Sequence, residues 1–497
     1  MAGTLLAPHL PQPTRRDRWP LPQLRKELPV FLHRNFVPGL AIYSYIVGDE
    51  ASGRCAVIDP ARDVEPYMRR ARDQGLRITD ILETHVHADF VSGAVELKAR
   101  LPFEARIHCS GLGGAEWTPP YADAVIGSGD QVSFGSLRLQ AVPTPGHTPE
   151  HVSWALFDRT RSDDVPWVLF TGDFLFVGDV GRPDLLGPEA QKKLAHELYR
   201  SVFERIADLP EFLELFPAHG AGSLCGKAIG SRASSTLGFE RRFNPALRQL
   251  AEEEWVAALL RGMPVAPPYF RRMKKINSTG PGLIGPQLPG RKGFTAKEVH
   301  ERVCADCLIL DVRPKEAFAA VHIPGSINIP FGPHLATWAG WVLPYERPIL
   351  TVVDDPKQMT EIARCLLRVG FDQIEGYLEG GVDAWEGLGY ELAGLEAISV
   401  HELARRLQGG ERPFVLDVRT EQEWEGGHIE GARHIHGGLL QDRLGEVPRD
   451  RPVAVVCGSG YRASIAASFL KRAGYDAVSN VIGGMTAWTN ADLPVSR

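Results

Sequence analysis

Between residues 36 and 222, short runs of β-branched and aromatic residues alternate with turn residues and amphipathic stretches, as in Leu40–Val47 and Trp167–Thr171. That pattern predicts an α/β domain. A helical tail is predicted from Pro245 to Arg261. From Lys274 to Lys292 periodicity fades among Gly280, Pro281, Gly282, Gly285, Pro286, Pro289 and Gly290, which predicts a linker without core positions.

Beyond the linker the chain repeats itself. Asp311-Val-Arg313 returns as Asp417-Val-Arg419 and His322-Ile323 as His428-Ile429, both at an offset of 106; Gly380-Gly381 with Trp385 returns as Gly483-Gly484 with Trp488 at an offset of 103. Each copy is about 100 residues and opens on a capping box, Thr295-x-x-Glu298 and Ser399-x-x-Glu402. Two separately folding units are expected.

Composition narrows the function classes. The 497 residues are 44% hydrophobic and 23% charged, ordinary for a globular chain but too long for one core. A net charge of -6 lacks the basic footprint of a nucleic-acid or membrane binder. Arg15, Arg16 and Arg18 stand among prolines with no apolar run behind them, so a cytoplasmic location is expected. Seven scattered cysteines argue for individual thiols rather than a disulfide framework.

Metal-capable side chains gather at predicted strand ends. His85-Val-His87-Ala-Asp89-Phe90 follows the strand Asp80–Thr84, His147 follows Leu137–Val142, Asp173 follows Trp167–Thr171 and His219 follows Phe212–Phe216. Ligands collect at the carboxyl ends of strands in α/β sheets, so these ends predict one convergent site.

With Thr84 to Asp89, Pro145-Gly-His-Thr148, Thr171-Gly-Asp173 and His219 in view, the sequence resembles the metallo-β-lactamase superfamily. Phe90 departs from the pattern of the two-metal hydrolases, which have a histidine there. A phenyl ring cannot coordinate, so a mononuclear site is expected. Within the superfamily the sequence looks like the persulfide dioxygenases, a resemblance that Gly178–Asp184 and Phe216–Cys225 extend. It implies one Fe(II) per chain held by His85, His147 and Asp173, with open positions for a persulfide and O2, and His87 and Asp89 steering the ligands rather than binding metal. It also implies a part for Cys225 near the iron. Arg182 is read either as orienting an anionic substrate or as an ion-pair partner of Asp184 or Asp179. The rival reading is a zinc-dependent thioester hydrolase of glyoxalase II type, in which His87, Asp89 and His219 are alternative metal ligands.

In the last unit the strand Pro452–Val456 leads into Cys457-Gly-Ser-Gly-Tyr-Arg462 and a predicted helix, Ala463–Ala473. A cysteine at a helix N-terminus meets unpaired N–H groups and the positive end of the dipole, which favours the nucleophilic thiolate, and Arg462 adds charge. With Asp417-Val-Arg419, Gly427-His-Ile429 and Gly483-Gly484-x-x-x-Trp488, this resembles the rhodanese family of sulfurtransferases. The six-residue loop has the sulfurtransferase length, whereas the related phosphatases have one residue more. In the first copy the cysteine and arginine positions fall on Asp354 and Met359. A carboxylate carries no sulfur, so this copy is expected to be silent. Gly280–Gly285 and Cys304-x-x-Cys307 lack the contexts that nucleotide or zinc binding needs.

The expected architecture is multidomain α/β: an N-terminal arm (1–27), an αββα metallo-β-lactamase sandwich (28–272), a linker (273–292), an inactive rhodanese-like domain (293–392) and an active rhodanese domain (395–497). The expected activity is oxidation of a low-molecular-weight thiol persulfide with O2 to sulfite, plus transfer of sulfane sulfur among persulfide, sulfite and thiosulfate through Cys457. The expected partners are these small molecules, with no nucleic acid or membrane and with a homo-oligomer left open.

Overall fold

The structure is a computed structural model and describes residues 30–497; the N-terminal arm, with Arg15, Arg16 and Arg18, lies outside them. Strands β1 (Val30–Val37), β2 (Ile42–Asp49), β3 (Arg54–Ile58), β4 (Arg77–Leu82), β5 (Arg106–Ser110) and β6 (Ala124–Ile126) form one sheet in chain order. Strands β7 (Gln131–Phe134), β8 (Leu137–Pro143), β9 (Val152–Asp158), β10 (Val168–Gly172), β11 (Glu214–Pro217) and β12 (Ser235–Thr236) form a second, likewise in chain order.

Alternation along the strands makes this a sandwich. Tyr45, Val47, Ile58 and Leu82 of the first sheet meet Leu139, Trp154, Leu156 and Phe170 of the second in one core. Ile46, Val57 and Ile81 point the other way and bury Tyr67, Ala71 and Leu97 of the helices Glu65–Asp73 and Ala94–Arg100. On the opposite flank Leu169 and Leu215 pack with Leu198 and Trp255 of the helices Pro188–Arg200 and Glu252–Leu260. Both faces of each sheet are covered, giving αββα layers. The predicted helical tail is shorter than expected: Pro245 starts only a single 3₁₀ turn, and the helix begins at Glu252.

Each repeat unit is a parallel five-stranded sheet. Strands β13 (Lys292–Phe294), β14 (Leu308–Asp311), β15 (Ile327–Asn328), β16 (Ile349–Val352) and β17 (Ile374–Leu378) take the order β13-β17-β16-β14-β15. Strands β18 (Glu396–Ile398), β19 (Phe414–Asp417), β20 (Arg433–His434), β21 (Val453–Val456) and β22 (Val478–Val481) take the order β18-β22-β21-β19-β20, the same topology.

The repeated Asp-Val-Arg motif is structural. Arg313 donates to Asp311 from Nη2 at 2.6 Å and to the Val321 carbonyl at 2.8 Å, while Arg419 donates to Asp417 at 2.7 Å and to the Gly427 carbonyl at 2.8 Å. Each buried pair staples a strand end to the loop after it. The capping boxes differ. Thr295 and Glu298 bond reciprocally, but Glu402 is drawn away by Arg405 and Arg406, leaving Ser399 a one-sided cap.

The predicted linker is a strut over its first part. The helix Tyr269–Thr279 runs through Lys274, and Tyr269, Phe270, Met273 and Asn277 on it are buried. Gly280, at φ +99°, ends this helix, which accounts for the first glycine of the Gly-x-Gly-x-x-Gly stretch. Tyr269, Phe270 and Met273 join one core with Ala88, Phe90, Val91, Phe176 and Cys225 of the sandwich and Leu335, Ile362 and Leu366 of the first repeat unit. Polar bonds reinforce this junction: Arg368 donates to Asp63 at 2.8 and 2.7 Å, Arg62 donates to the Leu367 carbonyl at 3.1 Å, and the Val91 N–H donates to the Arg368 carbonyl at 2.7 Å.

Removing one partner of a buried ion pair strands the other charge, at a cost of about 3–5 kcal/mol. Arg368→Ala is therefore expected to lower full-chain stability by about that amount in chemical denaturation, and to uncouple unfolding of the sandwich from that of the first repeat unit.

Candidate metal centre and thiol loop

Five side chains converge at the strand ends between the two sheets. His85 and His87 follow β4, His147 follows β8, Asp173 follows β10 and His219 follows β11, all buried. Among the described residues three groups of donors are close enough to hold a metal: His85, His147 and Asp173; Asp89, His219 and Cys225; and Asp59, Glu83 and His87.

The first group has the fewest competing partners. Asp173 Oδ2 lies 3.7 Å from His85 Nε2 and 3.5 Å from His147 Nε2, and none of these three buried atoms has a hydrogen-bond partner. Their outer atoms are all engaged. His147 Nδ1–H donates to the Arg182 carbonyl at 2.9 Å, which leaves the Nε2 lone pair free. The Thr84 hydroxyl donates to Asp59 at 2.8 Å and so accepts from His85 Nδ1–H at 2.9 Å, with the same result. Asp173 Oδ1 accepts from His219 Nδ1–H at 2.6 Å. Two free imidazole nitrogens and one free carboxylate oxygen are the donor set of a two-histidine, one-carboxylate metal face, and they fit a divalent metal.

The second group is more fully satisfied. His219 Nε2–H donates to Asp89 at 2.8 Å, so both its ring nitrogens are engaged by carboxylates. Burial works against its charge, but Asp173 and Asp89 prevail and raise the imidazole to about 10. Burial, with Asp89 and Asp173 adding to it, holds the Cys225 thiol well above its ordinary range. Phe90 is fully buried and packs on His87 at 4.4 Å between ring centroids. The sequence argument from Phe90 did not foresee Cys225 as a third donor beside Asp89 and His219. In the third group His87 Nε2 lies 3.1 Å from Asp59 and 3.3 Å from Glu83. Those carboxylates overcome the burial penalty and raise the His87 imidazole well above its usual value.

Arg182 is enclosed rather than facing a substrate. It bonds Asp184 twice at 2.7 Å and the carbonyls of Leu224 and Pro264, at zero exposure, so of the two sequence readings the Asp184 ion pair is the one formed. Four of its five N–H donors are taken by protein, and the guanidinium is fully buried.

At the thiol loop Cys457 is buried after β21, and the Gly460 N–H donates to its Sγ at 3.1 Å. Gly460, at φ +92°, starts the helix Tyr461–Arg472. Arg462 donates two 2.6 Å bonds to Glu423, which also accepts from the Thr420 backbone N–H at 3.0 Å. The Gly483-Gly484 motif has a steric cause: a Cβ on Gly484 would come within 2.1 Å of the Cys457 carbonyl. In the first repeat unit Asp354 is exposed and Met359 buried. Cys304 is exposed and Cys307 buried, and neither joins a metal-capable group among the described residues.

The metallo-beta-lactamase superfamily model matches residues 37–219, and the rhodanese-like domain model matches 295–388 and 399–491. The mitochondrial persulfide dioxygenase ETHE1 of Mus musculus is 35% identical over 228 residues, which cover 45% of this chain and 79% of that protein. The chain belongs to the metallo-beta-lactamase superfamily. A probable metallo-hydrolase of Burkholderia pseudomallei is 32% identical over 251 residues, 45% of this chain and 82% of that one. The crystal structure of a metallo-beta-lactamase from Staphylococcus aureus subsp. aureus COL superposes with a TM-score of 0.62 at 35% identity, covering 70% of this chain and 98% of that chain. Two rhodanese-like domains therefore follow the metallo-beta-lactamase domain, and no helix among the described residues is long and apolar enough to cross a membrane.

Three further residues serve these sites. His151 accepts from the Asp173 N–H at 3.0 Å and stacks on His85, and burial lowers it to about 3, so it stays neutral. Its place in Pro145–His151 made it findable. Glu423 was legible as the closing residue of the capping box Thr420-x-x-Glu423. Asn277, inside the predicted linker, gave no signal. Its amide donates to the carbonyls of His87 at 2.8 Å and Phe90 at 2.7 Å, and its oxygen accepts from the Ser92 N–H at 2.9 Å.

Because Asn277 fixes the loop that follows His85, Asn277→Ala is expected to weaken metal binding by about tenfold or more. Metal titration of the apoprotein checks this, with circular dichroism expected to stay native.

Proposed function

We propose that the metallo-beta-lactamase domain oxidises a low-molecular-weight thiol persulfide with O2 to sulfite, using one Fe(II) held by His85, His147 and Asp173. The observation that carries this reading is the trio of unpartnered atoms His85 Nε2, His147 Nε2 and Asp173 Oδ2. Ferrous iron on two imidazoles and one carboxylate supplies redox chemistry and open positions for a sulfur ligand and dioxygen, whereas zinc supplies no redox change. The persulfide dioxygenase relatives support the same choice.

The chain's residues do the orienting. Arg182 through its carbonyl, and Thr84 through its hydroxyl, fix which nitrogen of each histidine faces the centre. His219 neutralises Asp173 from its outer oxygen. The site is enclosed, which excludes bulk water from a reactive sulfur species.

Cys457 is proposed as the carrier of sulfane sulfur in the second rhodanese-like domain. Its sulfur stands at a helix N-terminus with a backbone donor on it and Arg462 close by. Sulfite made at the first site is a sulfur acceptor for the second, which gives a reason for one chain to hold both. The first rhodanese-like domain, with Asp354 in the cysteine position, is proposed as a support that braces the metal loop.

The rival zinc thioester hydrolase draws on the group Asp89, His219 and Cys225, a second donor set beside the first. It requires two metals.

Two outcomes are expected. Iron-loaded protein consumes O2 only when a persulfide is supplied, and zinc-loaded protein does not; thioester cleavage by the zinc form without oxygen uptake by the iron form would favour the hydrolase. Cys457→Ser abolishes sulfur transfer between thiosulfate or persulfide and sulfite, while persulfide-dependent O2 uptake stays within about twofold of wild type, since Cys457 itself is buried in a different apolar cluster from the one around Phe90 and Cys225.

A further inference from the structure

A small chamber lies against the metal group, with His85 in its wall and Asn277 of the strut helix beside it. Its volume is about 10 Å³, and Glu83, His85, His87 and Glu150 line it together with the half-buried Trp117 and Tyr121. Each carboxylate is anchored by one oxygen and presents the other. Glu83 Oε1 accepts from the Ser92 hydroxyl and Glu150 Oε1 from the Val86 N–H at 2.8 Å. Glu83 Oε2, Glu150 Oε2 and His87 Nδ1 are buried without a hydrogen-bond partner; Glu83 Oε2 has only the 3.3 Å approach of His87 Nε2.

Native proteins seldom leave buried polar atoms unsatisfied, and a cavity the size of one water with two to four polar partners is where ordered water is found. One water molecule can serve two carboxylate oxygens and an imidazole nitrogen at once. The opposite flank is mainly apolar. Ala88, Phe90, Phe176 and Cys225 are packed there into the apolar core shared with the first rhodanese-like domain.

From this we infer that the chamber is a hydration site, positioned by Glu83, His87 and Glu150, that supplies the water consumed in persulfide oxidation. The inference rests on the persulfide dioxygenase reading. The balance is RSS⁻ + O2 + H2O → RS⁻ + SO3²⁻ + 2 H⁺. The S–S bond breaks and the thiolate leaves with its electron pair. The terminal sulfur gives four electrons to dioxygen, whose two atoms enter sulfite. The third oxygen comes from water, which releases both protons. His85 belongs both to the wall of the chamber and to the metal group, so a water held there stands next to the centre.

The test uses the iron-loaded full chain. A high-resolution crystal structure of wild type is expected to show a water bonded to Glu83, His87 and Glu150, and Glu150→Met is expected to lose it. In O2-uptake assays normalised to bound iron, Glu150→Met lowers kcat by roughly tenfold or more with KM for the persulfide unchanged, and Glu150→Gln, which keeps an oxygen for the Val86 N–H and a polar atom in the chamber, recovers most of the rate. A dry chamber in wild type, or an undiminished kcat in Glu150→Met, overturns the inference. A wild-type protein that consumes no O2 with any persulfide instead overturns the functional reading, while the crystallographic water still decides what the chamber holds.

Discussion

The structure turns on how Asp173 divides its two oxygens. One is bound by His219, whose ring is held in turn by Asp89, and the other faces two histidine nitrogens without a hydrogen-bond partner. A buried carboxylate in this position needs cationic partners on both sides. The imidazolium of His219 supplies one and a metal is the natural other. The remaining hydrogen bonds at the centre, from Thr84, the Arg182 carbonyl and His151, keep that division in place by fixing tautomers and ring orientation.

The loop that brings His85 into this arrangement is not stabilised by the sandwich alone. Asn277 ties it down from a helix outside the sandwich, and Arg368 of the first rhodanese-like domain binds it through the Val91 N–H. The first rhodanese-like domain, with Asp354 at the position matching Cys457, thus has a physical role: its core is continuous with the one that buries Phe90 and Cys225. Phe90 is the hinge between the two facts. The same ring that cannot ligate a metal is an apolar contact that lets this flank be closed by protein.

Much of this was legible in the residues. The four strand ends carrying His85, His147, Asp173 and His219 could be read from hydrophobic runs, because β10 is buried throughout, β4 is buried over its last three residues and β8 and β11 bury alternate positions, and their ends fall within a few residues of the runs. The repeat was legible because its motifs are structural staples, Asp311 to Arg313 and Asp417 to Arg419, that any working copy of the fold must keep. What escaped were long-range relations. Asn277 works 190 residues away from His87, in a stretch whose glycines and prolines hid a helix. Arg182 offered its charge as a clue, yet its carbonyl is what orients His147. Glu402 failed as a capping residue because two arginines outcompete a backbone N–H for it.

X-ray absorption at the iron edge of the iron-loaded protein tests the central claim most directly. The account predicts a first coordination sphere of two imidazole nitrogens and carboxylate and water oxygens, with no sulfur and no neighbouring metal. A sulfur scatterer from Cys225, or a second metal bridged to the first, would contradict it.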